Sequence, residues 1–305
     1  MLEALMNGVL PVFGVLALGF AVGKRKVFDV AMAVAINRFV VLVALPILVF
    51  RLLARAPFHE FDWMLLIAFL ISELLVYGTG FLLARKVFNC DVRESILLGM
   101  ASAFANHLLF VLPIAILLFG EQASLPIVAI ASVDAVVVYC GTVMILDATG
   151  LQGVSLMRLL RQFAKNPAIL AIFIGLLVGL SGIPLPKSVD AFTGFAGLTA
   201  APCALFALGI ILSQQSNPGT QVLPVSISAL KLLGHPLIAW FLIEYGFLIG
   251  SEWGRPAMMV AAGPSGALAF VLGLQYQVRI AAIARAVLYT SVGSLATVAL
   301  FASMV

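Results

Sequence analysis

Two carboxylic acids stand where the surrounding sequence should exclude charge. Glu73 and Asp134 each fall near the centre of a long apolar run, where an ionised side chain costs roughly 2.5 to 3.5 kcal/mol on the insertion scale. That cost is avoided if the group faces a wet cavity, meets a cation or holds a proton. The chemistry on offer is proton coupling or support of a charged ligand; the plainer role is a hydrogen bond inside a helix bundle. Tyr77, one turn from Glu73, is placed to be the partner in such a bond. Lys231, about eight residues into its run, either snorkels to the surface or pairs with an acid. Arg38 and Glu244 lie nearer the ends of their runs and are expected to snorkel. Of the histidines, His59 falls in a loop and His235 precedes Pro236 at an expected kink, whereas His107 sits mid-run beside Asn106. It can titrate near neutral pH or donate to an anion, and it can equally satisfy backbone carbonyls as a neutral imidazole.

A second kind of chemistry needs backbone rather than side chains. Asn106-His107, with Pro113 further on, interrupts one apolar run, and Gly263-Pro264-Ser265-Gly266 interrupts another. Proline removes a donor and glycine weakens a helix, so N–H and C=O groups are freed at membrane depth, where they are tolerated only if they line a cavity. The half-helix that follows such a break offers the partial positive charge of its N-terminus to an anion. A harmless kink with small-residue packing is the alternative. Cys90, Cys140 and Cys203 form no CxxC pair and give neither a disulfide framework nor zinc spacing, so no metal or cofactor is expected.

The elements that must position these residues follow from composition. Of the 305 residues 63% are apolar and 10% charged, with a mean hydropathy of +1.19, against roughly 25% charge in a soluble domain. The chain reads as an integral membrane protein with room for roughly ten spans of about 20 residues and no appended soluble domain. A net charge of +4 reflects cytoplasmic loops and gives no sign of nucleic-acid binding. The runs lie at 5–23, 31–53, 62–84, 95–119, 124–146, 167–183, 189–212, 223–249, 256–275 and 281–303. They are too long and too evenly apolar for barrel strands, which leaves helices. The first positive cluster, Lys24 to Lys26, follows the first run, the reverse of a signal peptide's order, so that run is expected to remain as a helix.

Eleven Lys and Arg residues fall in the loops after odd-numbered runs, against Arg51, Arg55, Lys187 and Arg255 on the other side. The positive-inside rule then puts both termini outside. The connection at 147–166 is cytoplasmic on this reading. Leu156, Leu159, Leu160 and Phe163 recur there at helical spacing, which suits a short interfacial helix, although a solvated linker has the same composition.

The two halves echo each other in order. At one constant offset Leu10, Phe13 and Gly19 fall on Leu170, Phe173 and Gly179, Asn106 falls on Gly266, and Phe110-Val111-Leu112 falls on Phe270-Val271-Leu272; at a slightly smaller offset Pro46 and Phe50 fall on Pro202 and Phe206. Five runs per half is odd, so the second half (167–305) must enter the membrane from the side opposite to the first (1–146). Such inverted repeats are how many secondary transporters obtain two mirror-related conformations, with the ligand near the midplane where interrupted helices meet.

Six strings in order carry a resemblance over the whole chain: Asn37-Arg38-Phe39 with Leu45-Pro46-Ile47-Leu48-Val49-Phe50, Ala201-Pro202-Cys203-Ala204-Leu205-Phe206-Ala207-Leu208-Gly209, Lys231-Leu232-Leu233 with Pro236, Gly263-Pro264-Ser265-Gly266, and Thr290 with Ser294. Together they resemble the auxin efflux carrier family, which includes plant PIN auxin carriers and bacterial malonate and malate transporters. The resemblance implies an all-α fold of ten transmembrane helices in two inverted repeats. Runs 1, 2, 6 and 7 would form the scaffold and runs 3–5 and 8–10 the moving transport domain, with broken helices 4 and 9 crossing at the substrate site. It also implies elevator-like carriage of organic anions, a homodimer through the scaffold, and a location in the bacterial inner membrane. Asn106 looks like the family's crossover asparagine. Asp134 and Tyr139 are spaced like residues bordering the PIN site, and Glu73 is similar in placement to an acidic support residue. Where the family often reads Asn-Thr-Gly, or Pro-Asn-Thr in PINs, this chain has Asn106-His107-Leu108.

The expected activity is therefore transport of a small carboxylate held by Asn106, His107, Gly263, Pro264 and Ser265, with Tyr139 closing the pocket, Asp134 setting its charge state, and Glu73, Asp134 and Lys231 coupling protons or supporting the site. A sodium-coupled bile-acid-type symporter shares the fold, but sodium wants convergent oxygens and run 9 has no acid. A rhomboid-like intramembrane protease is suggested by the serine motif, yet no histidine follows Ser265 to serve as its base. A non-transporting sensor would want a signalling domain, for which the length leaves no room.

Overall fold

In a bilayer the backbone finds no water, so each apolar run must satisfy its own N–H and C=O groups. The computed structural model describes residues 14–149, 165, 167–214 and 220–301, and every regular element there is helical. In chain order these are α1 (Gly14–Lys24), α2 (Val30–Ala54), α3 (Trp63–Val87), α4 (Val92–Ala103), α5 (107–119), α6 (Glu121–Thr149), α7 (Pro167–Ser181), α8 (Lys187–Gln214), α9 (Val222–Gly246), α10 (Ser251–Ala262), α11 (Leu268–Gln275) and α12 (Ala281–Phe301). Six of them, α2, α3, α6, α8, α9 and α12, are individually long and apolar enough to cross a membrane. The outward faces remain apolar, with Leu177 and Phe195 largely exposed, as helices bathed in lipid require. The expected interfacial helix at 156–163 and the start of the first run lie outside the described residues. Helix α6 continues to Thr149, and Asp147 is buried, accepting a bond from Tyr276 Oη at 2.6 Å.

Local chemistry sets the ends of the helices. Asp29, Asp62 and Asp91 each accept backbone N–H bonds as N-caps of α2, α3 and α4, satisfying donors that a helix start leaves free and placing negative charge at the positive end of the dipole. Pro46 and Pro236 each stand two residues beyond a widened turn, at 40–44 and 230–234, in which the following N–H reaches five residues back. A proline ring collides with the carbonyl four residues before it, and the widened turn moves that carbonyl aside.

The charged connections gather at two ends. Arg279 pairs with Glu94 at 2.7 Å and Arg93 donates to Thr149 Oγ1 at 3.0 Å, while Arg85 donates to the Cys90 carbonyl at 2.8 Å. These contacts draw the α3–α4 and α11–α12 connections to the end of α6. Elsewhere Arg51 of α2 and Arg55, the residue that caps its end, meet Asp190 of α8 at 3.1 and 3.5 Å.

Helices α1, α2, α7 and α8 pack crosswise through glycine. A methyl group on Gly19 would fall 2.2 Å from the Phe206 carbonyl oxygen of α8, and one on Gly179 would fall 2.2 Å from that of Leu53 in α2. Small residues let membrane helices approach this closely. Gly19→Ala and Gly179→Ala should each destabilise the protein by about 1–3 kcal/mol through forced separation of the helices, read as an earlier thermal unfolding transition in detergent.

Candidate functional site

The two interruptions meet and complete each other. Helix α4 stops at Ala103, and Phe104 turns extended (φ −65°, ψ 122°). The Asn106 N–H donates to the Pro264 carbonyl at 2.9 Å, and the Gly266 N–H donates to the Phe104 carbonyl at 2.9 Å. Ala105 and Ser265 thereby form an antiparallel bridge. Run 4 breaks without glycine or proline because run 9 supplies partners for its released backbone. The break precedes His107, which begins the next helix rather than interrupting one. The offset that lays Asn106 on Gly266 also lays Phe104 on Pro264, so each of the two hydrogen bonds becomes the other when the halves are exchanged.

A cavity of about 120 Å³ adjoins the crossing. Asn106, His107, Gly266, Ala267 and Leu268 form one wall, Ala131, Ala135 and Tyr139 of α6 extend it, and α2 and α8 close it with Val40, Leu45, Ala204 and Leu205. Helices α5 and α11 both begin at this wall, so the N–H groups that a helix start leaves without intrahelical partners lie beside it. The side facing them is apolar. A negatively charged group entering the cavity would therefore find its favourable contacts on one wall only.

Behind that wall lies a cluster of buried ionisable groups. His107 Nε2 lies 2.6 Å from Asp134 Oδ2, with its ring edge-on to Phe104 at 5.2 Å between centroids. Glu73, wholly buried, lies against Asp134, and among the described residues neither of its carboxylate oxygens receives a hydrogen bond. Lys231 is also wholly buried; its Nζ sits 2.9 Å from His235 Nδ1 and donates to the Ala261 carbonyl at 3.1 Å, within electrostatic reach of both acids. His235 Nε2 is 3.4 Å from Ser72 Oγ, which itself donates to the Phe69 carbonyl at 2.6 Å. This chain of donors is consistent only if Lys231 donates to Nδ1 and the imidazole proton sits on Nε2.

Of the residues singled out in the sequence, Asn106, His107 and Tyr139 line the cavity, Asp134 touches it through His107, and Glu73 and Lys231 lie deeper. Gly263, Pro264 and Ser265 build the crossing instead of lining the cavity. The Ser265 N–H donates to Thr290 Oγ1 at 3.1 Å and its hydroxyl to the Ala101 carbonyl. Both donors are thus spent on tying the break to α12 and α4, and no base lies on the hydroxyl. Lys231 does not snorkel. Tyr77 is not the partner of Glu73; its hydroxyl meets Thr142 Oγ1 at 3.1 Å, the step from Glu73 being slightly more than one full turn and enough to swing the ring toward α6. His235 and Ser72 were missed. The legible signal was spacing: His235 is four residues from Lys231 and shares its helix face.

Among the described residues, no three His, Cys, Asp or Glu side chains form a group suited to a metal ion. The sequence profile of a family described as "Membrane transport protein" matches residues 4–154 and 151–302. A protein of Rhizobium meliloti (strain 1021) named "Putative malonate transporter" is 27% identical over 302 residues, covering 95% of this chain and 92% of its own length. An "Uncharacterized transporter" of Methanothermobacter thermautotrophicus is 24% identical over 300 residues, 96% of each chain. The "Uncharacterized transporter YfdV" of Escherichia coli (strain K12) is 26% identical over 273 residues, 86% of this chain and 85% of its own.

Proposed function

This chain belongs to the membrane transport protein family, the auxin efflux carrier group that its motifs resemble, and on that premise we propose that it carries small carboxylates by elevator-type alternating access. The observation that carries the reading is the crossing, where two half-helix N-termini, Asn106 and His107 face one small cavity. A relative named for malonate supports the substrate class.

Two inverted five-helix units account for the recurring backbone. The described residues with positive φ fall in pairs, Lys26 with Gly182, Asn89 with Leu248, and Gly120 with Gln277, each at nearly the offset that relates Asn106 to Gly266. On this reading α1, α2, α7 and α8 are the scaffold and dimerise, while α3–α6 and α9–α12 move with the substrate. The termini lie outside, in a bacterial inner membrane. The carboxylate docks on Asn106, His107 and the helix N-termini, with Tyr139 closing the cavity. Ser265, Gly263 and Pro264 hold the crossing in register. Glu73 and Asp134, two adjacent carboxyls beside one lysine, provide a place to hold and release a coupled proton.

Uptake of radiolabelled malonate, malate, lactate and indole-acetate into proteoliposomes tests this, with and without pH and sodium gradients. Folded protein that moves none of them overturns the reading, and dependence on sodium would transfer it to the symporter class. Asn106→Ala should raise the half-saturating malonate concentration about ten-fold, the worth of one hydrogen bond to a charged group. His107→Ala should weaken dicarboxylates more than monocarboxylates; equal effects would remove the histidine from recognition of a second carboxylate.

A further inference from the structure

The wall that α2 presents to the inner cavity continues toward the end of the bundle carrying Arg51 and Arg55. A second cavity, of about 580 Å³, lies there between α2 and α8 on one side and α5 and α6 on the other. Leu48, Leu52 and Ala201 border both cavities, so the two share part of one wall. We propose that this vestibule is a carboxylate-capture site, in which Arg55 and Arg51 take an arriving anion in exchange for Asp190. The proposal rests on the carboxylate reading above and adds to it a second, outlying site.

The geometry assigns different parts to the two arginines. A single oxygen, Asp190 Oδ1, serves both: Arg51 Nε at 3.1 Å and an Arg55 terminal nitrogen at 3.5 Å. Each guanidinium carries five N–H donors in a fork matched to a carboxylate, so one shared oxygen leaves capacity for another anion. Arg51 is held in place. Its guanidinium lies over Gly194, where a methyl group would come within 3.3 Å of Cζ, and its side chain is 28% exposed. Arg55, at 54%, is the arm free to turn. Leu48 and Leu52 share one face of α2 and Arg55 caps its end, so an anion released from Arg55 passes along that face to the crossing. Asp190 stands behind the two arginines that line the vestibule, and Glu60, the acid on the vestibule wall itself, lies beside His59 at 3.4 Å. With Asp190 it balances the two cations while the site is empty. Capture is therefore an exchange of carboxylates, not accumulation in a strong field.

Exchange predicts effects of opposite sign from two substitutions in one ion pair. In malonate exchange across proteoliposomes with equal substrate on both faces, Arg55→Gln should lower kcat/KM about five-fold with kcat unchanged, and Asp190→Asn should raise kcat/KM about three-fold, as removal of a competing half-exposed ion pair implies. Lactate, with one carboxylate, should respond less. A merely structural pair would give two losses, with kcat falling as well. Unaltered kcat/KM in both variants, or loss in both, overturns the capture site while leaving the transport reading intact. A wild-type protein that moves no carboxylate overturns both.

Discussion

Lys231→Met is expected to abolish carboxylate transport and to destabilise the protein by about 3–5 kcal/mol, the usual cost of removing one partner from a buried ionic group. The lysine is wholly buried. Its loss leaves Glu73 and Asp134 without the cation that acts on both, and it also withdraws the donor on which the His235 Nδ1 acceptor depends. Methionine matches the length of the lysine stem, so the effect isolates charge and hydrogen bonding from volume. The informative companion is the double variant Lys231→Met with Glu73→Gln. It removes one cation and one acid together and should recover part of the lost stability without recovering transport. Thermal unfolding in detergent and uptake of malonate, read on both variants, separate the two roles. A single variant that melts and transports like the wild type would remove the cluster from the mechanism.

The cluster also shows what the sequence could and could not convey. Hydropathy marked the helices because a bilayer demands long apolar segments, and the isolated acids were visible as exceptions to it. Their partners were not visible, since they come from other helices. Nothing near Glu73 in sequence announces Asp134, and Tyr77, the sequence neighbour, faces Thr142 instead. His235 reads, through the adjacent Pro236, as part of a kink, although its position one turn from Lys231 is the better guide. The break in run 4 was legible only as a polar interruption. With no glycine or proline at positions 104–106, its conformation is imposed from outside by hydrogen bonds to Pro264 and Gly266. The offset between Asn106 and Gly266, by contrast, is legible in the sequence, and the bonds from their N–H groups to Pro264 and Phe104 are related by that same offset. Ser265 shows the opposite limit. Its residue type suggested a ligand contact, while its place in the bridge commits both donors to protein.

Gly266→Ala should cost most of the transport activity while leaving the bundle folded. A methyl group there would stand 2.8 Å from Phe104 Cδ1, too close to persist, and a tight 3.0 Å from the Ala105 carbonyl oxygen. The backbone cannot retreat freely, because the Gly266 N–H is bonded to the Phe104 carbonyl. The Phe104 ring must therefore move, and it packs edge-on against His107, whose Nε2 lies 2.6 Å from Asp134 Oδ2. One added methyl thus displaces a cavity-lining imidazole and loosens the junction that aims two helix N-termini at the same point. Overpacking of this kind costs about 1–3 kcal/mol. Charged against substrate binding instead of global stability, that is roughly a five- to 150-fold rise in half-saturation. Gly141→Ala is the matched control. It lies in α6, where an added methyl meets nothing within 4 Å, and alanine is the better helix former. The control should transport malonate as well as the wild type. If Gly266→Ala did the same, the crossing would be a packing junction only, and the anion would have to be recognised elsewhere along the cavity wall.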